Sequence, residues 1–240
     1  MYGFRSQFSS NVQYDATNET ITKPSRSGGT FQISLADDQS PVGTTGFKLY
    51  DGQVIEDLPG GGGFTRTYNF EGFRGETESG GGSVTFISAH PSFGGYQGMA
   101  RHIETEMPTT GSATLSGDYF GYFSAIRDTK EFTYIYGATE LDLNYTNATV
   151  QGRISERIDS AGNVFEDVIL QETDVSAGRF TGDISGGAMI AEDFDVAHRH
   201  QYDGMIVGPE GNEAVGGIAI RHTNTEADEF GWESGAFVVD

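Results

Sequence analysis

"YDGMIVGPEGNEAVGGIAI", residues 202–220, is two apolar arms around a turn. Pro209 and Gly211 supply the turn: proline presets φ and glycine tolerates a left-handed backbone. A lone acid, Glu213, opens the return arm, and Gly216 and Gly217 sit inside it. The tip, the acid and the glycine pair each need a reason, and the rest of the chain supplies one.

The segments before this hairpin follow a period of two. In "TELDLNY", Leu141, Leu143 and Tyr145 share one face, and Glu140, Asp142 and Asn144 the other. A two-residue turn at Thr146-Asn147 leads into "ATVQGRI", with Ala148, Val150, Gly152 and Ile154 in phase. This is a hairpin with one wet and one buried face. Asp159 to Gly162 is turn chemistry, and the next strand is expected over Val164 to Leu170. "GSATLSGDYFGYFSA", the Gly-rich "GRFTGDISGGAMIA" and the closing "ESGAFVVD" complete about eight antiparallel strands in the last 130 residues. Such regular spacing implies a closed barrel or a sandwich, and inward glycines suit the tight bends of a barrel.

The first half differs. Three Gly-rich loops, "SRSGGT", "DLPGGGGF" and "ESGGGS", separate short strands such as "GTFQISLA", "FTRTYNFEGF" and "GSVTFISA". None of these loops is a phosphate-binding G-x-x-x-x-G-K-[ST]. Helical periodicity is nearly absent, and "GGYQGMARHIETEM", Gly94 to Met107, is the one short-helix candidate. A boundary at "MPTTG" divides the chain into an irregular β-rich module, residues 1–110, and a barrel module, residues 111–240.

Composition narrows the function. The 240 residues carry 35 acids against 14 bases, a formal net charge of -21. That charge repels nucleic acid and anionic membranes, both of which are bound through Lys and Arg. It favours solubility or a basic partner surface. With no cysteine, disulfides, thiolate metal sites and cysteine nucleophiles are excluded. No run reaches the roughly 18 apolar residues of a membrane helix. "MYGFRSQFSSN" does not read as a signal peptide, so the protein is cytoplasmic or its leader has been removed.

Five segments, in order, resemble the C-terminal β-barrel of the transferrin-binding protein B family, whose clan includes haem-scavenging hemophilins and related surface lipoproteins. They are "GSATLSGDYFGYF", "ATELDLNYTNATVQGRIS", "AGRFTGDISG", "YDGMIVGPEGNEAVGGIAI" and "GAFVV". In the fourth, Gly208, Pro209, Glu213, Gly216 and Gly217 match the family's pattern, while Ile206 and Val207 replace its usual aromatic pair. The resemblance implies an all-β protein: an N-terminal handle domain followed by an eight-stranded antiparallel up-and-down barrel. It makes the quoted hairpin structural. Gly208-Pro209 sets a stiff turn, Glu213 accepts loop amides, and Gly216-Gly217 gives room for closure. In this clan the handle and the upper barrel loops make the ligand contacts.

Two clusters are candidate sites. "SAHPSFGGYQGMARH" holds His90, Tyr96, Met99 and His102, all residue types that ligate haem iron, with Arg101 to pair a propionate. "HRH" places His198 and His200 two apart, a metal pair that needs a third ligand such as Asp195, Tyr202 or His222. Paired acids such as Asp37-Asp38 and Glu192-Asp193 lack the spacing of a calcium loop. Asn18, Asn144 and Asn147 lie in glycosylation sequons, which carry little meaning in the bacterial source that the resemblance implies. No G-x-S-x-G and no H-E-x-x-H is present, so a binding protein rather than an enzyme is expected.

The expected function is therefore ligand capture by a secreted or cell-surface monomer whose leader is absent from this chain. The first reading is a hemophore-like haem binder that hands haem to an outer-membrane receptor for iron acquisition. The second is a surface module that recognises a host or partner protein without haem. The change at Ile206 and Val207 and the short first domain argue against transferrin itself.

Overall fold

The computed structural model describes residues 13–18, 20–24, 30–35, 46–57, 65–90, 95–125, 133–187, 195–196, 200–224 and 229–240. Every regular element among them is a β-strand. The chain divides into two compact units: residues 1–42, 47–74 and 85–98, and residues 43–46, 75–84 and 99–240.

Seven strands follow one another in a single sheet in chain order: β1 (Gln13–Asp15), β2 (Thr20–Pro24), β3 (Thr30–Leu35), β4 (Phe47–Asp57), β5 (Thr65–Glu76), β6 (Gly82–His90) and β7 (Gly95–Arg101). In the first unit Phe47 meets Phe73 edge-on at 5.8 Å, and Phe73 stacks on Phe86 at 5.2 Å. Buried Arg74 lies 4.0 Å over the Tyr14 ring and donates to Thr85 Oγ1 at 3.4 Å. The helix expected over Gly94 to Met107 is absent: its described part is β7 followed by irregular backbone. Gly95 and Gly98 penalise a helix, and sheet pairing settles the conformation.

The remaining strands are β8 (Ser112–Ala125), β9 (Thr133–Asn144), β10 (Thr149–Asp159), β11 (Val168–Ser176), β12 (Arg179–Gly186), β13 (Asp195–Val196), β14 (Gln201–Val207), β15 (Glu213–Asn224) and β16 (Glu229–Val239). Eight of them close an antiparallel barrel in the order β8-β9-β10-β11-β12-β14-β15-β16. The seam pairs β16 with β8 over nine residues, from Gly231↔Ala125 to Val239↔Gly117. Two-residue β13 pairs only with the far end of β15. Closure leaves no free edge in the barrel.

The interior is filled. Leu115, Tyr119, Leu141, Val150, Ile154, Tyr202, Ile218 and Phe237 belong to one continuous core. The quoted hairpin is continuous in its apolar character because β14 is buried on both faces from Tyr202 onward. Gly216 faces inward, and a methyl group there would sit 2.2 Å from Phe237 Cζ and 2.5 Å from the Asp203 carbonyl. The glycine therefore makes room for an aromatic ring rather than a bend.

Two local expectations are corrected. The β9–β10 connection is a four-residue turn, 145–148, not two residues. Asn144 Oδ1 accepts Asn147 N at 3.0 Å, Ala148 takes φ 53°, and pairing resumes at Thr149↔Asn144. Likewise β11 begins at Val168, not Val164. Asp159 Oδ1 accepts the amides of Ala161 and Asn163 at 2.9 and 2.8 Å, which holds a turn closed by an isolated Ile158↔Val164 bridge before the continuous strand starts.

Candidate functional site

At one end of the barrel lie the turns 145–148, 177–178 and 208–212 and the irregular strap 102–111 that enters β8. The strap is pinned from both sides. Glu106 N donates to Pro209 O at 3.0 Å, and Tyr145 N donates to Gly111 O at 3.0 Å. Arg101 Nη2 donates to Ile206 O at 2.8 Å. Tyr145 Oη donates to Gly211 O at 2.7 Å, and burial raises its pKa. The Gly-Pro tip of the hairpin thus anchors the strap.

Glu213, the lone acid, anchors a second segment. Its carboxylate accepts Ser79 N at 3.2 Å and Ser79 Oγ at 2.8 Å. These bonds hold the Thr77–Gly82 turn, where Gly81 packs so closely on Gly208 that a methyl group would lie 2.6 Å away. Gly208 itself takes φ 78°, open to glycine at little cost. Beside it Asp240 Oδ1 accepts Glu78 N at 2.9 Å. Burial raises the Asp240 pKa; the Glu78 amide opposes that, and the charges of Glu213, Glu78 and Asp118 add to it.

Between the strap and the turns 145–148 and 177–178 opens a cavity of about 510 Å³. Its walls are mostly apolar: Met107, Pro108, Leu143, Tyr145, Val175 and Ile206. Arg101 is the charged residue in the lining. Thr105 Oγ1, also in the lining, is buried without a hydrogen-bond partner. An unpartnered buried hydroxyl is a cost the fold carries alone. Next in sequence to the lining or turn residues Met107, Val175 and Gly211 stand exposed Glu106, Asp174 and Glu210, and next to lining Gly178 stands exposed Arg179.

A second constellation, unforeseen from sequence, is sealed inside the barrel. Arg157 and Glu233 are fully buried and form an ion pair through Nη2 and Oε2. Tyr119 Oη donates to Glu233 Oε1 at 2.7 Å, and His222 Nε2 lies 3.2 Å from Oε2. The carboxylate accepts, so Nε2 is the protonated nitrogen. Arg157 Nη1 donates to the carbonyls of Glu166 and Gly187, and its guanidinium lies 5.2 Å over Phe165. Burial alone would raise the Glu233 pKa. The Arg157 charge, then His222 and the Arg157 hydrogen bond, outweigh it and hold the group at about 2. Burial, then the Glu233 charge, pushes Tyr119 well up.

Arg157 reaches this site because β10 bulges. The β9 register shifts between Ser155 and Ile158, and Glu156 takes φ 55°. The extra residue reverses the alternation, so Arg157 points inward while Ile158 is 42% exposed. Strict alternation from Ile154 would have put Arg157 in water. With every member out of solvent's reach, the cluster is a scaffold.

The sequence-derived candidates fall as follows. Met99 is half-buried in β7. Arg101 lines the barrel-end cavity. His102 is exposed, with Nε2 2.8 Å from Ser83 Oγ. The side chains of His90 and Tyr96 lie outside the described residues, as does His198. His200 is half-buried just before β14. Of its proposed co-ligands, His222 is held by Glu233 inside the barrel, and Tyr202 Oη donates to Gln171 O at 2.5 Å. No group of three His, Asp or Glu residues suited to a metal is present among the described residues. For haem, the described part of the cluster offers Arg101 beside apolar walls, whereas the ring nitrogen of His102 is already engaged.

No protein-family model and no curated protein matches the chain. It is similar to two solved structures of the vaccine antigen transferrin-binding protein B from Haemophilus parasuis Hp5. A double mutant aligns at 14% identity and a TM-score of 0.47, over 95% of this chain and 43% of that one. A single mutant aligns at 11% identity and a TM-score of 0.43, over 92% of this chain and 51% of that one. The chain thus spans about half the length of the chains it resembles.

Proposed function

We propose that this protein is a surface-exposed binding module that captures a partner protein at one end of its barrel. The observation that carries the reading is the filled, closed interior. Large side chains and the Arg157–Glu233 ion pair occupy it, so a ligand has to be met at the rim or beyond the barrel. At the rim stands a cavity whose Tyr, Met and Arg lining matches the residues enriched where proteins bind one another. The net charge of -21 favours encounters of the protein as a whole with basic partners.

The test is a sensor-chip measurement at about 0.15 M salt, near the physiological ionic strength at which exposed charges are screened beyond about 8 Å. Basic proteins, lysozyme first, are presented, with transferrin, the partner in the name of the similar structures, as the comparison that the change at Ile206 and Val207 argues against. The reading expects saturable binding of a protein ligand. It also expects hydrogen-exchange protection at the turns 145–148, 177–178 and 208–212. No saturable binding, or protection confined to the outer wall of β9 to β12, overturns it.

Haem capture is the second reading. It is favoured by Arg101 beside apolar walls, the pairing a propionate and a macrocycle need. The axial ligand would come from His90, Tyr96, Met99 or His102, and His102 would have to leave Ser83. Hemin titration decides it. A Soret shift lost in His90→Ala or His102→Ala supports haem, and no shift rejects it.

A further inference from the structure

We infer that the barrel-end cavity binds a small amphipathic carboxylate, its acid group on Arg101 and its hydrocarbon body against the apolar walls. The inference goes beyond the protein-capture reading and does not depend on it. At about 510 Å³ the cavity is of the size that small molecules occupy, and most of its walls are apolar. The charged residue in the lining is Arg101, a cation. Acids stand next in sequence to residues of the lining and the turns, but none is in the lining itself. Neither Met99 nor His102 lines it, so nothing described there ligates iron, and the class it fits is an organic acid.

Arg101 is seated for that contact. Nη2 donates to Ile206 O at 2.8 Å, which fixes the guanidinium without neutralising it. Gly178 leaves the room it occupies: a methyl group there would lie 2.5 Å from Nη2. No carboxylate pairs with Arg101 among the described residues, so its other N–H groups keep their capacity to donate. A guanidinium presents five such donors in a planar fork that matches a carboxylate. Asn144, also in the lining, adds a donor. Its Oδ1 is taken by Asn147 N, and its Nδ2 has no partner among the described residues. Met107, Leu143, Val175 and Ile206 offer their surface to a hydrocarbon. The net charge of -21 opposes an anion at long range. At about 0.15 M salt that field is screened beyond about 8 Å, whereas a contact on the guanidinium is not.

The test is calorimetric titration of the full chain with decanoate at about 0.15 M salt, with amide NMR shifts to locate the ligand. Decanoate is expected to saturate one site with a Kd of about 1 mM or tighter, within reach of a ligand its size. It should shift the amides of Asn144, Thr149, Gly178 and Ile206. Affinity should rise about fourfold per methylene from hexanoate to decanoate, the gain from burying each CH2. Decanol, with the same tail and a neutral head, should bind about tenfold more weakly, and decyltrimethylammonium should not bind. Arg101→Gln should bind decanoate and decanol alike, and Arg101→Lys, which keeps the charge and loses the fork, should fall between. Thr109→Trp adds bulk at an exposed lining position and should weaken decanoate binding at unchanged Tm. Decanol or the cationic amphiphile binding wild type as well as decanoate does overturns the inference. So does affinity independent of chain length, a preference for decanoate that survives in Arg101→Gln, shifts confined to other residues, or no saturable binding at about 1 mM. The head-group comparison is made on wild type, so it decides even where an Arg101 variant fails to fold. No protein ligand takes part, so failure here leaves the protein-capture reading standing.

Discussion

Glu233 shows how one residue decides a core. A lone buried carboxylate is prohibitive, and it is tolerable here because Arg157, Tyr119 and His222 all face it. Its folded pKa, about 2, is depressed from an ordinary 4.5. Stability from this group is therefore complete above about pH 4.5 and lost as pH falls towards 2. The difference corresponds to roughly 3 kcal/mol. Glu233→Gln strands Arg157 and should cost about 3 kcal/mol or more at pH 7. It should also flatten the loss of stability between pH 4.5 and 2.5 in urea titrations. An equally steep acid slope in the variant would assign that slope to other carboxyls. Gly216→Ala tests packing at the same scale. The added methyl meets Phe237 and should cost about 1–3 kcal/mol by chemical denaturation, and no loss would mean the ring has room to move.

Elements show where the sequence speaks and where it does not. Alternation in "TELDLNY" gave the inward Leu141 and Leu143 correctly, because a half-buried strand repeats every second residue. The Glu156 bulge left no such trace: one inserted residue flips the parity of all that follows, and alternation continued from Ile154 alone points Arg157 outward. Turn length was equally hidden, since it depends on which amide the Asn144 side chain caps. A second bulge lies where the β10–β11 register shifts between Val150 and Gly152. There Tyr202 reaches from β14 to donate to the Gln171 carbonyl, and burial, then the charges of Asp183 and Glu172, raise its pKa. Tyr202→Phe should leave that carbonyl unpaired, cost about 1–2 kcal/mol, and speed amide exchange along β11. Unchanged exchange would place the hold on the bulge elsewhere.

The whole molecule follows from closure. The family-like glycines, the Gly-Pro tip and the lone acid pointed to a barrel, and each now has a contact: Gly216 with Phe237, Pro209 with the strap, Glu213 with Ser79. The rim cavity was only partly legible. Arg101 was singled out and Thr105 lies four residues on, but Tyr145 and Ile206 meet them only through the fold, from 44 and 105 residues beyond Arg101, and local spacing cannot report such encounters. On the proposed reading, a filled interior leaves recognition to the rim, so the seam between β8 and β16 carries the account. Site-resolved amide exchange along β16 tests it most directly, since successive N–H groups of a strand point to opposite neighbours. A sealed barrel predicts slow exchange at consecutive amides from Gly231 to Val239, alternately bonded to β15 and β8. Fast exchange at every second amide, the set facing β8, would mean an open sheet and would contradict it.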